Sequence, residues 1–161
     1  MSVGAINPPN SGACPYASRT VIAPKKNGSM RMCDDYRDVN PQTEKHLFSL
    51  QRIDQMWQTL SCTRYVSSLD LLIGFHQVEV NPRDRVKTAL LTHCGLNVDN
   101  VMTFGLCNAS ATFQRLMERV LETIIGLCVF VYIDDVLTYA EPHLQLIEYF
   151  KRSQTFRKGW A

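Results

Sequence analysis

The sequence lacks an apolar run long enough to cross a bilayer, which takes roughly 18 residues. Its longest, Ile124 to Ile133, is interrupted by Gly126. It also lacks the basic start and apolar stretch of a secretory signal: the first residues read MSVGAINPPNSGACPYAS. A secreted or membrane-spanning protein is therefore not expected. No two cysteines form a CxxC pair, and Cys14, Cys33, Cys62, Cys94, Cys107 and Cys128 are irregularly spaced. They read as reduced thiols of an intracellular protein. With His93-Cys94 as the only adjacent ligand-type pair, a zinc finger is not expected. An excess of one charge is missing as well. Seventeen basic against fifteen acidic residues give a net charge of +2, which excludes binding to nucleic acid by bulk charge alone but not a local basic channel.

What remains is an ordinary globular composition. The 161 residues are 45% hydrophobic and 20% charged, enough for one domain or a fragment of a larger one. Repeats and low-complexity tracts do not occur. The Pro-, Asn-, Ser- and Gly-rich residues 1 to 18 read as an extended leading segment. Arg19 to Ala23 reads as a strand, Lys25-Lys26-Asn27-Gly28-Ser29 as a tight basic turn around Asn-Gly, and Met30 to Met32 as the return strand. Residues 50 to 60 place Leu50, Ile53, Met56, Trp57 and Leu60 on one helical face. Tyr65 to Leu72 reads as a strand, and Phe75 to Val80 alternates like a half-buried one, broken by Asn81-Pro82.

Residues 109 to 125 carry the clearest helical stripe: Phe113, Leu116, Met117, Val120, Leu121 and Ile124, with Gly126 as a stop. CVFVYIDDVLTYA then reads as strand, acidic turn, strand, and Pro142 opens another helix with Leu144, Ile147 and Phe150 inward. Strands and helices without strict alternation predict an α+β fold.

Asp134-Asp135 is the sharpest chemical feature. Two adjacent carboxylates repel one another unless a cation neutralises them, and a hard ion such as Mg²⁺ does so with carboxylate and phosphate oxygens. From these two residues alone a solvated hairpin turn is the better reading, since Asp is common in turns. Asp70 shifts the balance. It sits in the otherwise apolar SSLDLLIGF, where an isolated carboxylate is costly to bury. Three carboxylates from two strand ends suffice for two-metal phosphoryl transfer. Lys25, Lys26 and Arg31 could then hold phosphates, or else form a solvated hairpin.

Several blocks carry a family resemblance: PYAS (Pro15 to Ser18), KKNGSMRMCDDYRDVN (Lys25 to Asn40), RID (Arg52 to Asp54), YVSSLDLLIGFHQVEV (Tyr65 to Val80), KTA (Lys87 to Ala89), MTFGLCNASATFQRLMERVL (Met102 to Leu121) and VFVYIDDVLTYA (Val129 to Ala140). In this order they resemble the reverse transcriptase domain of gypsy-type long-terminal-repeat retrotransposons, from about Gly4 to about Leu146. The resemblance implies a partial right-hand polymerase fold. Fingers are expected at about 1–44 and 77–108, and palm at about 45–76 and 109–161, without thumb, connection or ribonuclease H. It implies an RNA-directed DNA polymerase that joins a dNTP to a primer 3′-hydroxyl on an RNA or DNA template, in a cytoplasmic particle or the nucleus. Asp70, Asp134 and Asp135 match the palm aspartates that bind two Mg²⁺ ions, with Mn²⁺ as a substitute. Lys25 or Lys26, with Arg31, matches the triphosphate grip. Phe75 matches the aromatic residue that excludes a 2′-hydroxyl, and Phe104 and Gly105 match the segment beside the nucleotide. Asp35, Arg37 and Asn40 match a block taken as mostly structural.

The chain also departs from the family pattern. Leu72-Ile73 replaces an Arg-Ser pair, Asn108-Ala109-Ser110 replaces NAP, Asp99 stands where an apolar residue is expected, and Asp34 adds a charge. The tail after Leu146 no longer follows the family. A non-catalytic remnant, keeping the fold and at most weak nucleic-acid binding, is the alternative expectation.

Overall fold

The computed structural model describes residues 6–7, 14, 16–24, 28–48, 53–71 and 73–140; for Ile6, Asn7, Arg31, Ile53 and Gln55 only the backbone is described. The helix expected from Pro142, with Leu144, Ile147 and Phe150, lies outside the described residues, as do Leu50 and Arg52. The chain divides into two compact units, 1–46 with 73–109 and 47–72 with 110–161. Both mix helix or helical turns with sheet, as the α+β expectation requires.

The first unit is a five-stranded sheet. In chain order its strands are β1 (Ile6–Asn7), β2 (Ser18–Pro24), β3 (Met30–Asp35), β5 (Ala89–Thr92) and β6 (Gly95–Asp99), and in space they run β1-β6-β5-β2-β3. β2 and β3 form the antiparallel hairpin read from the sequence, in register from Arg19↔Asp35 to Pro24↔Met30. Gly28 in its turn takes φ +80°, open to glycine without a Cβ penalty. The second hairpin, β5–β6, closes at Thr92↔Gly95. There the Thr92 hydroxyl donates to the Gly95 carbonyl (3.0 Å) and accepts from the Asn97 amide (3.0 Å).

The strand expected at Phe75 to Val80 is corrected. Gly74–Gln77 is a 3-10 helix, entered through Ile73 at a left-handed φ of 55°. Once the chain turns there, His76 N–H reaches the Ile73 carbonyl (3.0 Å) and Val78 N–H reaches that of Phe75 (3.1 Å). Strand-like pairing survives only from Val78 onward, where Val80 N–H donates to Asn100 and Met102 N–H donates to Val78. The sequence alternation was real only in that half.

The second unit is a three-stranded antiparallel sheet, ordered β4 (Tyr65–Asp70), β8 (Asp135–Ala140), β7 (Val129–Tyr132), with α1 (Ile53–Ser61) and α2 (Ala109–Val120). Alternation along β7 sends Val129 and Val131 into one apolar cluster with Leu121, Ile124, Cys128 and Val136, while Phe130 joins Met56 and Tyr139 in another. Phe113 and Ile124 are buried, as the helical stripe requires, and Met117 and Val120 pack against the first cluster. Each large side chain so buried contributes roughly 1.5–3 kcal/mol.

Two details differ from the expectation. α2 ends at Val120 rather than residue 125. The chain continues in turns, with Leu121 N–H on Met117 and Ile124 N–H on Leu121, so the apolar spacing persists without the helix. Trp57 is 68% exposed, so the inward face of α1 among the described residues consists of Met56 and Leu60. Among the described residues no helix is long and apolar enough to cross a membrane.

Candidate active site

The three aspartates lie at one end of the sheet of the second unit. Asp70 is the last residue of β4 and is the register partner of Asp135, the first residue of β8. β7 and β8 are joined by a two-residue turn, Ile133-Asp134, closed by the pair Tyr132↔Asp135. Leu71 N–H donates to the Asp134 carbonyl (3.3 Å), tying the end of β4 to that turn. Ile133 has φ +55° at the position where such turns favour glycine. A β-branched residue held there is strained by an amount of order 1–3 kcal/mol.

The carboxylates are not equivalent. Asp70 and Asp135 are exposed and Asp134 is half-buried. Asp134 Oδ1 is sequestered from solvent and has no hydrogen-bond partner. Burial pushes the Asp134 carboxyl above the ordinary carboxylate range, and the charges of Asp70 and then Asp135 push it the same way. Such a group gains from a hard cation and resists ionising without one. Among the described residues, no three His, Cys, Asp or Glu side chains are grouped closely enough to hold a metal ion as they stand. The oxygen donors offered here are Asp70 and Asp135, paired across the strands, and the unpartnered Asp134 Oδ1. The donor set and the orphaned oxygen therefore fit a hard divalent ion.

The other expected site residues belong to the first unit. Lys25 and Lys26 lie outside the described residues. Arg31 sits in β3 opposite Ala23. Phe75 is 5% exposed, with its ring 4.8 Å from that of Phe104, which is 55% exposed; His76 lies 6.0 Å from Phe104. Gly105 takes φ +99°, and a Cβ there would come within 3.1 Å of the Asp34 carbonyl oxygen. The residue after Phe104 therefore has to be glycine for the loop to lie against β3. Asp35 holds Arg37 through two hydrogen bonds, Nε to Oδ1 at 2.8 Å and a terminal guanidinium nitrogen to Oδ2 at 2.6 Å.

Sequence reasoning undervalued two amides and missed a third. Asn40 donates to the Gly105 carbonyl (2.8 Å) and accepts from Cys107 N–H (2.9 Å), so it fixes the loop that presents Phe104. Asn108 accepts from His46 N–H (3.0 Å) and donates to the Glu44 carbonyl (2.8 Å). Gln114, wholly buried on α2, contacts the Ile133 turn. Its signal was a polar residue beside Phe113 at the start of an otherwise apolar stripe.

Comparison with known families decides the lineage. Residues 23–160 match the family described as reverse transcriptase (RNA-dependent DNA polymerase). The chain belongs to that family. Its relatives include an RNA-directed DNA polymerase homolog of Oenothera berteroana, 36% identical over 131 residues, covering 81% of this chain and 92% of that protein. The Drosophila melanogaster Pol polyproteins of transposons opus and gypsy are 37% and 33% identical, covering 87% and 86% of this chain but 14% of each polyprotein. These matches bear out the gypsy-type resemblance, and because the family match runs to residue 160, the expectation that the tail after Leu146 no longer follows the family is corrected. This reverse transcriptase domain also superposes on foamy virus protease-reverse transcriptase, in a native crystal structure (TM-score 0.82, 23% identity) and in a complex with an RNA/DNA hybrid (TM-score 0.83, 22% identity). Each comparison covers 95% of this chain and 20% of the viral one. The likeness establishes the partial polymerase fold.

Proposed function

We propose that this reverse transcriptase domain carries the metal-binding carboxylates and part of the nucleotide grip for RNA-directed DNA synthesis. The observation that carries the reading is the pairing of Asp70 with Asp135 across β4 and β8, beside the orphaned Oδ1 of Asp134. Asp70, Asp134 and Asp135 would hold Mg²⁺, two ions in the full reading, with Mn²⁺ as a substitute. Held by these carboxylates, such ions would supply a lowered pKa for a primer 3′-hydroxyl and neutralisation of phosphate charge. The chain's own contribution is to hold three oxygen-donor side chains at one end of a packed sheet.

In this reading the first unit corresponds to fingers and the second to palm. The division of the chain at 46/47, 72/73 and 109/110 supports that assignment, since each boundary falls within four residues of the one expected from block order. Lys25 or Lys26, with Arg31, grips the triphosphate of a dNTP. Phe75, locked against Phe104, acts as a fixed wall that leaves no room for a 2′-hydroxyl. The partners are a primed RNA or DNA template and dNTPs. The complex of the viral relative with an RNA/DNA hybrid supports the first of these. A cytoplasmic particle or the nucleus is the corresponding location.

Primer extension by this chain with and without Mg²⁺, paired with thermal melting, tests the reading. Millimolar Mg²⁺ should raise the melting temperature of wild type more than that of Asp134→Asn. Equal shifts would sink the metal assignment. A selective shift without incorporation would favour a fold-retaining domain that does not turn over by itself. Where incorporation is measurable, Phe75→Val should lower the preference for deoxy- over ribonucleotides, and an unchanged ratio would make Phe75 a core aromatic only.

A further inference from the structure

The buried amide of Gln114 is the least explained group in the second unit. A fully buried polar side chain in an apolar cluster is costly unless every polar atom is satisfied. Gln114 is 0% exposed. Its Oε1 accepts from Ile133 N–H at 2.7 Å. Its Nε2 donates to the Val131 carbonyl at 3.0 Å and to Glu118 Oε1 at 2.9 Å. The amide therefore pairs with the backbone of β7 and its turn as another strand would, one acceptor and one donor two residues apart. Glu118, one helical turn along α2, fixes which way the amide faces, because only the NH₂ end can meet a carboxylate.

The position of these contacts gives them a consequence beyond packing. Ile133 is held at φ +55°, a conformation that a β-branched residue abandons unless it is over-determined. The next residue is Asp134, whose Oδ1 is sequestered and unpartnered. The shortest hydrogen bond of Gln114 thus ends on the strained residue that aims this carboxylate.

We infer that Gln114, oriented by Glu118, is a positioning residue that holds the Ile133-Asp134 turn in its metal-ready form. The inference rests on the reading that Asp134 binds a divalent ion. Losing the clamp lets Ile133 relax toward negative φ, which swings Asp134 away from Asp70 and Asp135. Outer partners of this kind are worth about 10–100-fold in metal affinity.

The test is Mn²⁺ titration of the full chain, with free Mn²⁺ read by electron paramagnetic resonance, on wild type, Asp134→Asn, Gln114→Met, Glu118→Met and Gln114→Met/Ile133→Gly. Wild type should bind and Asp134→Asn should not. If Asp134→Asn binds as well as wild type, or wild type does not bind, the metal reading fails and the inference falls with it. With those controls met, Gln114→Met should bind about tenfold more weakly at an unchanged far-ultraviolet circular dichroism spectrum. Wild-type affinity in Gln114→Met would overturn the inference while leaving the metal reading intact. Ile133→Gly should restore most of the lost affinity, since glycine adopts positive φ without a clamp. A purely structural loss of packing at residue 114 would not be rescued by a glycine in the turn, so failure of rescue also overturns it. Should Gln114→Met not fold, Glu118→Met carries the test, with a weaker affinity expected and an unchanged one refuting the clamp.

Discussion

The two units bury polar groups of different kinds. In the second unit, apolar clusters form around the sheet, the fully buried polar side chains Gln114 and Thr138 are neutral, and Asp70, Asp134 and Asp135 sit at one end of the sheet. In the first unit, an ionisable group is carried inside. Asp99 is 1% exposed and accepts from the Tyr36 hydroxyl at 2.7 Å, while the Thr103 hydroxyl donates to Tyr36 (3.3 Å) and Asp99 N–H donates to the Thr88 hydroxyl (3.1 Å). Both units leave apolar side chains outside: Val21, Ile22, Met30 and Met32 on the β2–β3 hairpin of the first, and Trp57, Val66 and Leu127 in the second. A platform that must not move is built from dispersion and burial. A unit threaded by hydrogen bonds depends on protonation and on each donor being present.

The largest expected effect breaks the apolar side of this comparison. Phe113→Ala should destabilise the second unit by about 3–5 kcal/mol, because the ring is buried and the strands behind it relax only in part. Hydrogen exchange read separately for the two units checks it. Amides of β7 and β8 should lose protection while those of β5 and β6 keep theirs. Equal losses would show that the units do not unfold independently.

The middle effect belongs to the polar unit. Tyr36→Phe removes the donor to Asp99 and should cost about 1–3 kcal/mol. Burial, with a smaller push from Asp34, raises the Asp99 carboxyl to about 7, against which the Tyr36 and Thr103 hydroxyls pull down. A carboxyl raised this far keeps its proton when folded and loses it when unfolded between about pH 4 and 7. Stability of this unit should therefore fall as pH rises through that window and level off above it. Asp34, also raised by burial, acts in the same direction. Asp99→Asn should flatten the profile, and Tyr36→Phe should cost more at pH 8 than at pH 4. Urea denaturation at several pH values measures both. A profile for Asp99→Asn as steep as wild type would show that Asp99 is not the titrating group.

These contrasts also mark what the sequence could disclose. The carboxylate trio was legible because acidic residues inside β-branched runs are rare, and strand pairing brought Asp70 to Asp135. The β2–β3 hairpin was legible from Asn-Gly between strand-like segments. The Gly74–Gln77 turn was not, because the left-handed Ile73 that starts it contradicts local propensity. The end of α2 was misplaced because Leu121 and Ile124 keep their spacing in a turn that packs like helix. Asp99 looked like a misfit until its partner Tyr36, distant in sequence, was in view. Gln114 was hidden for the same reason: its partners lie across the hairpin, where periodicity carries no information.

The smallest effect sharpens the comparison at matched positions, the positive-φ glycines Gly105 and Gly126. Neither backbone suits an L side chain, so both alanine variants should lose stability from φ alone, by about 1 kcal/mol. They differ in surroundings. A Cβ on Gly126, at φ +78°, meets nothing within 4 Å, so strain is its whole cost. A Cβ on Gly105 meets the Asp34 carbonyl oxygen at 3.1 Å and Tyr36 Cδ2 at 3.4 Å, both fixed by β3 and by the hydrogen bond to Asp99. That loop can yield only by lifting Phe104 and breaking the bonds from Asn40. Gly105→Ala should therefore cost measurably more than Gly126→Ala and should alter Phe104 contacts, read as a change in the aromatic near-ultraviolet signal. Equal costs in urea denaturation, with no such change, would mean that the loop of the polar unit is as free to adjust as the turn of the apolar one.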